Sequence, residues 1–403
     1  MSKLNKPVSV ILMTILLDAM GVGIMIPVLP ELMSSVLPNA TLADATLWGG
    51  ILATIFALMQ FLFSPTLGVA SDQYGRKPVL MIALSVMIVY YLIMAVAQSL
   101  WLLIIGRIIG GVTAATHATA SAYIADISKP EEKAARFGLL GAAFGVGFVL
   151  GPIIGGLLGE WGPRAPFYAA ALIALINTIF CWVCLKESVT DDIRRKFSWK
   201  RANPFGAALE VSKFAGVGHL LWVLGLFLIG VAVYAAIWPF FTVERFDWSP
   251  GMIGVSLTLY GICFAIIQGG LVNPAIKRFG ERRTVILGFG AEIIALMVVA
   301  FIPHGWLMLA FTPMAAIGVI GQPPLQAIMS KAVGDDNQGT LQGVIGSLNA
   351  IAMIITPLVM SALFYTFTGK SAPFYFPGAP FFLAAILVAI ALWVFLSVRP
   401  KDA

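Results

Sequence analysis

Charge is scarce in this chain of 403 residues: Asp, Glu, Lys and Arg together supply 11% of it, under half their share in an average soluble domain. Histidine and cysteine are rarer still, with three of each. The histidines form neither HxxxH nor HExxH, and no P-loop or GxSxG occurs. Without a nucleophile–base pair, a metal site or a nucleotide cradle, an enzyme is not expected and no catalytic residue is assigned. Transport energy, if the chain transports, must come from ion or substrate gradients. Cys181 and Cys184 make a CxxC, but they lie in an apolar segment with no His or further Cys nearby. They read as small packing residues rather than a metal or redox pair.

Apolar residues fill the space that charge leaves. They make up 60% of the chain, and the mean hydropathy is +0.95, which excludes an ordinary soluble domain. Segments of about 20 apolar residues match the ~30 Å hydrocarbon core of a bilayer. Twelve are read, at 8–31, 47–69, 78–97, 99–122, 136–158, 165–185, 218–241, 250–270, 284–302, 305–326, 340–366 and 377–397. The expected fold is an all-α membrane protein. The first segment is long, carries Asp18 and lacks a small-residue cleavage site, so it reads as a span and not as a cleavable signal peptide.

The net charge of +6 is topological and does not point to nucleic acid. Of the 25 Lys and Arg residues, Arg107 lies within a span and Arg164, Arg245 and Lys370 lie on one side. The remaining 25 − 4 = 21 gather on the other, at the N-terminus, alternate loops, the central loop and the C-terminus. By the positive-inside rule both termini are cytoplasmic.

Internal symmetry appears at one offset. Adding 205 carries Gly75 to Gly280, Trp101 to Trp306, Gly138 to Gly343, Gly141 to Gly346 and Pro152 to Pro357. The shift maps segments 2–5 onto 8–11, so the chain is expected to form two pseudo-symmetric six-helix halves, 1–185 and 218–403. The polar, basic stretch 186–217 between them reads as a cytoplasmic linker. A parallel repeat of this kind is a transporter architecture with its site near the bilayer midplane.

Two motifs sharpen that reading. Gly147-Phe-Val-Leu-Gly151-Pro152-Ile-Ile-Gly155-Gly156 sets glycines at i, i+4 and i+8, one flat helical stripe on which a neighbour can pack backbone to backbone. Pro152 removes a hydrogen bond there and bends the helix. Gly68-Val-Ala-Ser-Asp72-Gln-Tyr-Gly75-Arg76-Lys77-Pro78-Val-Leu80 joins segments 2 and 3. Gly68 permits close helix contact, Gly75 permits a turn with positive φ, Asp72 can cap a helix and Arg76 can pair with an acid. Candidate partners are Asp126, at the end of segment 4, and the start of segment 11 around Gly339–Gly343. The equivalent second-half loop keeps Gly280 but places Lys277 where Asp72 would be, so the two loops are asymmetric.

Ionisable groups inside a membrane are costly and mark function. Asp18 lies about ten residues into its segment, roughly 15 Å deep, and Arg107 enters from the opposite side to roughly 12 Å. Similar depth allows the two to pair, either as a packing clamp or as a proton-responsive site, because a carboxylate whose surroundings alternate can take up and release a proton.

The loop segment resembles the GxLaDxxGRKxxL motif of the major facilitator superfamily, and GxxxGPxxGG resembles the fifth-helix motif of its twelve-helix drug/proton antiporters. Leu17-Asp18-Ala-Met-Gly21-Val-Gly23-Ile-Met-Ile-Pro27-Val-Leu-Pro30, Gly106-Arg107-Ile-Ile-Gly-Gly111, Ile124-Ala125-Asp126 and Pro323-Pro324-Leu325-Gln326-Ala-Ile-Met329-Ser330 are similar to segments of tetracycline/proton antiporters. The resemblance implies antibiotic efflux by a proton-coupled antiporter, acting by alternating access on a tetracycline-like or other amphipathic drug in the bacterial inner membrane. It implies protons as the coupling ion, no cofactor, small-molecule and lipid partners, no nucleic acid, and a functional monomer. The loop motif (Gly68, Asp72, Gly75, Arg76, Lys77, with Asp126) would act as a cytoplasmic latch.

This chain departs from the pattern by carrying Tyr90 in place of a third-helix acid, Phe264 in place of an eighth-helix histidine and His117 in place of a glycine. A metal ion would arrive only with the substrate, and the shortage of acids counts against that. Glu292 matches a ninth-helix acid and is either a coupling residue or a structural acid bonded to a neighbour. His117 reads as structural. Proton coupling is assigned to Asp18, Arg107 and Glu292, and the cavity to Asp18, Met25, Arg107, Tyr234, Trp238, Gln322 and Gln326, since apolar walls with few polar anchors suit an amphipathic ligand. The alternatives are an exporter of an endogenous metabolite, such as a siderophore or organic acid, and a transport-inactive receptor or assembly protein on the same scaffold.

Overall fold

The computed structural model describes residues 6–114, 116–192, 194–199, 202–204, 217–333 and 337–397. Residues 193, 200, 201 and 205–216 of the expected linker lie outside the described residues. Twelve helices among those described are long and apolar enough to cross a membrane, and no strand occurs among them. They are α1 (Lys6–Val36), α2 (Leu42–Tyr74), α3 (Arg76–Val96), α4 (Leu100–Ile127), α5 (Pro130–Gly159), α6 (Ala165–Cys184), α7 (Gly218–Phe246), α8 (Pro250–Gly270), α9 (Glu281–Phe301), α10 (Gly305–Val333), α11 (Gln338–Thr368) and α12 (Ala379–Ser397). All-helical structure follows from the solvent, because lipid offers no partner for backbone N–H and C=O groups.

Four of the twelve are interrupted: α1, α4, α7 and α10. In α1 a 3-10 turn at Ile26–Val28 contains Pro27, whose ring cannot donate to the helix. In α10 the 3-10 stretch Ala316–Gly321 precedes Pro323 and Pro324. The breaks in α4, between Leu100–Thr113 and Thr116–Ile127, and in α7, at Ala232, have no proline. Broken helices are tolerated at membrane depth where the freed backbone faces protein or a cavity.

By its contacts the chain divides into two compact units. Unit 1 is Met1–Pro38, Ile55–Pro204 and Ser249–Thr258; unit 2 is Asn39–Thr54, Phe205–Trp248 and Leu259–Ala403. The start of α8 thus packs in unit 1, and the start of α2 packs in unit 2.

The reason is a close crossing built the same way in each unit. In unit 1 a Cβ on Gly254 would collide with the Pro152 carbonyl, and the Thr258 hydroxyl donates to the Val149 carbonyl at 3.0 Å. In unit 2 a Cβ on Gly50 would collide with the Pro357 carbonyl, and the Thr54 hydroxyl donates to the Ile354 carbonyl at 3.0 Å. Val149 and Pro152 map to Ile354 and Pro357 at +205, and Gly50 and Thr54 map to Gly254 and Thr258 at +204. A bare glycine in each case lets the other helix approach the backbone beside the proline.

The turns before α3 and α9 also correspond. Gly75 has φ +105° and Gly280 has φ +77°, a region that side chains other than glycine rarely enter.

Candidate functional site

The glycine stripe of α5 packs on α1. Gly147, Gly151, Pro152, Gly155 and Gly156 are buried, while most of the residues between 141 and 150 are exposed. A Cβ on Gly147 would strike the Leu16 carbonyl, one on Gly151 would lie 2.7 Å from the Met20 carbonyl, and one on Gly155 would strike the Ile24 carbonyl. The neighbour is therefore the stretch of α1 that carries Asp18. Gly156 looks the other way, with its Cβ position 2.5 Å from the Pro250 carbonyl at the start of α8. A second contact fixes α1 against α6, where the Thr14 hydroxyl lies 3.0 Å from the Cys181 thiol and Asn177 Nδ2 donates to the Thr14 carbonyl at 3.3 Å. Cys181 sits inside a helix interface, and Cys184 is exposed.

Asp18 is half-buried and faces a cluster from α3 and α4. The Tyr91 hydroxyl packs against Gly21, one turn along α1, where a Cβ would lie 2.8 Å away, and it has no hydrogen-bond partner among the described residues. Asp18 and Arg107 are both within electrostatic reach of Tyr91. No ion pair joins Asp18 to Arg107 among the described residues. The Arg107 guanidinium lies instead 5.9 Å from the centre of the Phe56 ring, and its buried Nε has no partner among the described residues. Tyr90 is fully buried, with its ring against Gly110 and its hydroxyl 3.7 Å from the Met25 sulfur. Met25 is thereby 6% exposed. The sequence missed Tyr91, although two adjacent tyrosines inside an apolar run are an available signal.

Unit 2 holds a different cluster. Glu292 of α9 is 2% exposed, with its carboxylate against Gly318 in the 3-10 stretch of α10 and its Oε1 without a partner among the described residues. Tyr234 and Tyr260 both lie within its electrostatic reach. The two rings stack 6.0 Å apart at 26°, and Tyr234 lies 6.0 Å from Trp238. The Tyr234 hydroxyl has no hydrogen-bond partner among the described residues. Gln322 and Gln326 are half-buried at the start of the last helical part of α10. His117, on α4, is exposed and meets Phe144 edge-on at 5.8 Å.

The α2–α3 turn gathers its charges tightly. Arg76 Nη1 lies 2.7 Å from Asp72 Oδ1 and 2.6 Å from the Ser71 hydroxyl, and Arg76 Nε lies 3.0 Å from Asp126 Oδ2. The side chains of Asp72, Arg76 and Asp126 are 21%, 11% and 16% exposed, so each charge depends on the others for solvation. Glu187, which the sequence reading missed, completes the turn: its carboxylate accepts the Arg76 and Lys77 backbone N–H groups at 2.8 and 3.1 Å. An acid at a helix N-terminus satisfies orphan donors and the helix dipole together. Lys77 Nζ donates to the Trp182 carbonyl at 2.9 Å. Gly68, expected to admit a close helix, has no atom within 4 Å of a built Cβ, so the described structure makes no use of its small size.

The described part of the linker lies over this turn. Arg194 Nη1 donates to the Gln73 carbonyl at 2.9 Å, the Phe197 N–H to Gln73 Oε1 at 2.7 Å, and the Arg195 N–H to the Asp72 carbonyl at 3.2 Å.

The chain matches the sequence profile of the Major Facilitator Superfamily over residues 11–243 and 220–403. It is 40% identical to the class C tetracycline resistance protein of Escherichia coli, over 90% of each chain. It is 35% identical to the class H tetracycline resistance protein of Pasteurella multocida, over 96% of this chain and 95% of that one. Among solved structures the nucleoside transporter NupG superposes with a TM-score of 0.77 at 13% identity, covering 98% of this chain and 99% of that one, a likeness of fold alone. Twelve apolar helices, an internal repeat and these matches agree: the chain is a transporter of the Major Facilitator Superfamily, closely related to the tetracycline efflux proteins.

Proposed function

We propose that this transporter is a proton-coupled antiporter that exports a tetracycline-like or other amphipathic drug by alternating access. The observation that carries the proposal is the placement of Asp18: an acid deep in an interrupted helix, near a tyrosine that also feels Arg107, yet not locked into an ion pair with that arginine. Such an acid is free to exchange a proton when substrate or a change of conformation alters its surroundings. The names of the relatives supply the substrate class.

In this reading Asp18 is the principal proton-responsive acid, Arg107 controls it and Glu292 is secondary. Met25, Tyr234, Trp238, Gln322 and Gln326 contribute to the cavity. Asp72 and Arg76, with Asp126, form a conformational latch. The halves 1–185 and 218–403, joined by 186–217, work as a monomer in a bacterial inner membrane with both termini cytoplasmic. Cysteines placed at Asn39 and Gly369 should then label from outside with an impermeant reagent while one at Ser198 does not; inside-only labelling at Asn39 contradicts the topology.

A second reading has one observation in its favour. Tyr90 and Phe264 stand where the tetracycline exporters carry an acid and a histidine, which favours a ligand that brings no metal ion, such as an endogenous organic metabolite. The deciding experiment is proton-driven uptake of labelled compounds into inverted vesicles. Accumulation of tetracycline that collapses with the pH gradient supports drug antiport. Accumulation that ignores the gradient contradicts it, and accumulation of organic acids alone favours the second reading.

A further inference from the structure

The offset that relates the two halves carries one charged triad onto another with every sign reversed. Asp72, Arg76 and Asp126 map at +205 onto Lys277, Glu281 and Lys331. One contact of the triad is retained: Arg76 bonds Asp126 at 3.0 Å and Glu281 bonds Lys331 at 2.5 Å, each directly after a glycine of positive φ. The first triad has a formal charge of −1 and the second of +1.

Beside the first, negative triad the chain's own linker is anchored on backbone carbonyls, Arg194 Nη1 on that of Gln73 and the Arg195 N–H on that of Asp72. Around the second lie Arg278, Arg282 and Arg283, and Glu281 is the sole acid in the run 271–283. Lys331 already engages it. Lys277, Arg278 and Arg283 are exposed.

Apolar groups frame these cations. The short helix Val272–Phe279 buries Val272, while the flanking Leu271 and its last residue Phe279 are 50% and 41% exposed. The Arg278 guanidinium lies 5.5 Å from the centre of the Phe279 ring. The Arg282 guanidinium lies 5.2 Å from Phe395, and its Nη2 is 3.5 Å from the Leu396 carbonyl at the end of α12. Basic heads mixed with exposed apolar and aromatic groups, at the ends of spans on the side read as cytoplasmic, match the chemistry of a bilayer interface rich in anionic lipid.

We propose that the α8–α9 turn, through Lys277, Arg278 and Arg283, binds the headgroup of an anionic phospholipid. The reversal of the triad makes this possible: with the signs of the first half, Lys277 and Lys331 would be acids and the turn would repel a phosphodiester. The exposed Leu271 and Phe279 select a lipid, whose acyl chains they can meet, over free phosphate.

Native mass spectrometry of the full-length protein in detergent tests this, with phosphatidylglycerol and phosphatidylcholine of matched acyl chains at equal mole fraction. The native protein should retain phosphatidylglycerol in preference. The Lys277→Gln/Arg283→Gln variant should lose about 25-fold in that affinity, about fivefold for each cation near the headgroup, with phosphatidylcholine unchanged. Lys277→Asp, which restores the sign of the first half, should lose more than Lys277→Gln. If the double variant fails to fold, Lys277→Gln alone, with its roughly fivefold loss, carries the test. Equal retention of the two lipids by the native protein overturns the proposal, as does an unchanged affinity in the variants. Displacement of the lipid by an equal concentration of glycerol phosphate also overturns it, because that marks a site for soluble phosphate.

Discussion

The two units share a scaffold and differ in where they put charge. Both cross a proline-bent helix with a glycine-bearing one, at Gly254 and Pro152 in unit 1 and at Gly50 and Pro357 in unit 2. Both open their third helix on a glycine of positive φ. Yet unit 1 sets an acid and a cation, Asp18 and Arg107, within electrostatic reach of Tyr91, whereas in unit 2 the buried Glu292 acts on Tyr234 and Tyr260. The offset carries Asp18 to Val223 and carries Glu292 back to Met87. Backbone packing tolerates little change in either copy of a repeat, since an interior at crystal-like density cannot absorb extra volume. Charges have diverged.

The scaffold half of that comparison predicts the largest effects. Gly254→Leu and Gly50→Leu place a side chain where another helix's backbone lies, so both should abolish export and sharply reduce folded protein on size-exclusion chromatography. The cost exceeds the ~1–3 kcal/mol of ordinary overpacking, because the obstacle is backbone and cannot rotate away. Near-normal export in one of them would break the symmetry.

A smaller effect separates the two turns. Arg76→Gln leaves Asp72 and Asp126 without their common partner in a site where all three side chains are at most 21% exposed. It should cut export of every compound by tenfold or more, with binding little changed. Glu281→Gln breaks a pair whose Lys331 is 69% exposed; such surface pairs contribute ~0–1 kcal/mol, and export should stay within about twofold. Loss of one substrate alone on Arg76→Gln would place that residue in the binding site instead of the latch.

The buried hydroxyls should matter less than Arg76. Tyr91→Phe removes a group between Asp18 and Arg107 and should slow proton-driven export several-fold, read as initial rates in inverted vesicles. Tyr234→Phe removes one beside Glu292 and should change the rate less. The reverse order would move the working site toward unit 2.

Much of this was legible in the sequence because lipid leaves few options. Apolar runs give the twelve spans, and they fall short mainly at the ends: α1 reaches Val36 where the apolar run stops near residue 31. The interruptions in α1 and α10 are written in Pro27 and Pro323; those in α4 and α7 have no breaker residue and depend on tertiary packing. The stripe at Gly147, Gly151 and Gly155 announces a packing face, but a periodicity cannot name the neighbour, and α1 emerges only from the fold. Glu187 was invisible for the same reason, being 111 residues from Arg76 and unremarkable at the foot of α6. Gly68 shows the converse, a motif residue whose expected close contact is not made among the described residues.

The central claim is that the chemistry resides in unit 1, at Asp18. Proton release on addition of substrate to the reconstituted protein, followed with a pH-sensitive dye, tests it most directly. Asp18→Asn keeps the size and hydrogen-bonding capacity of the side chain and removes its titration, so release should vanish while ligand binding persists; Glu292→Gln should retain most of the release. Persistent release from Asp18→Asn together with its loss in Glu292→Gln would contradict the account and assign the coupling to α9.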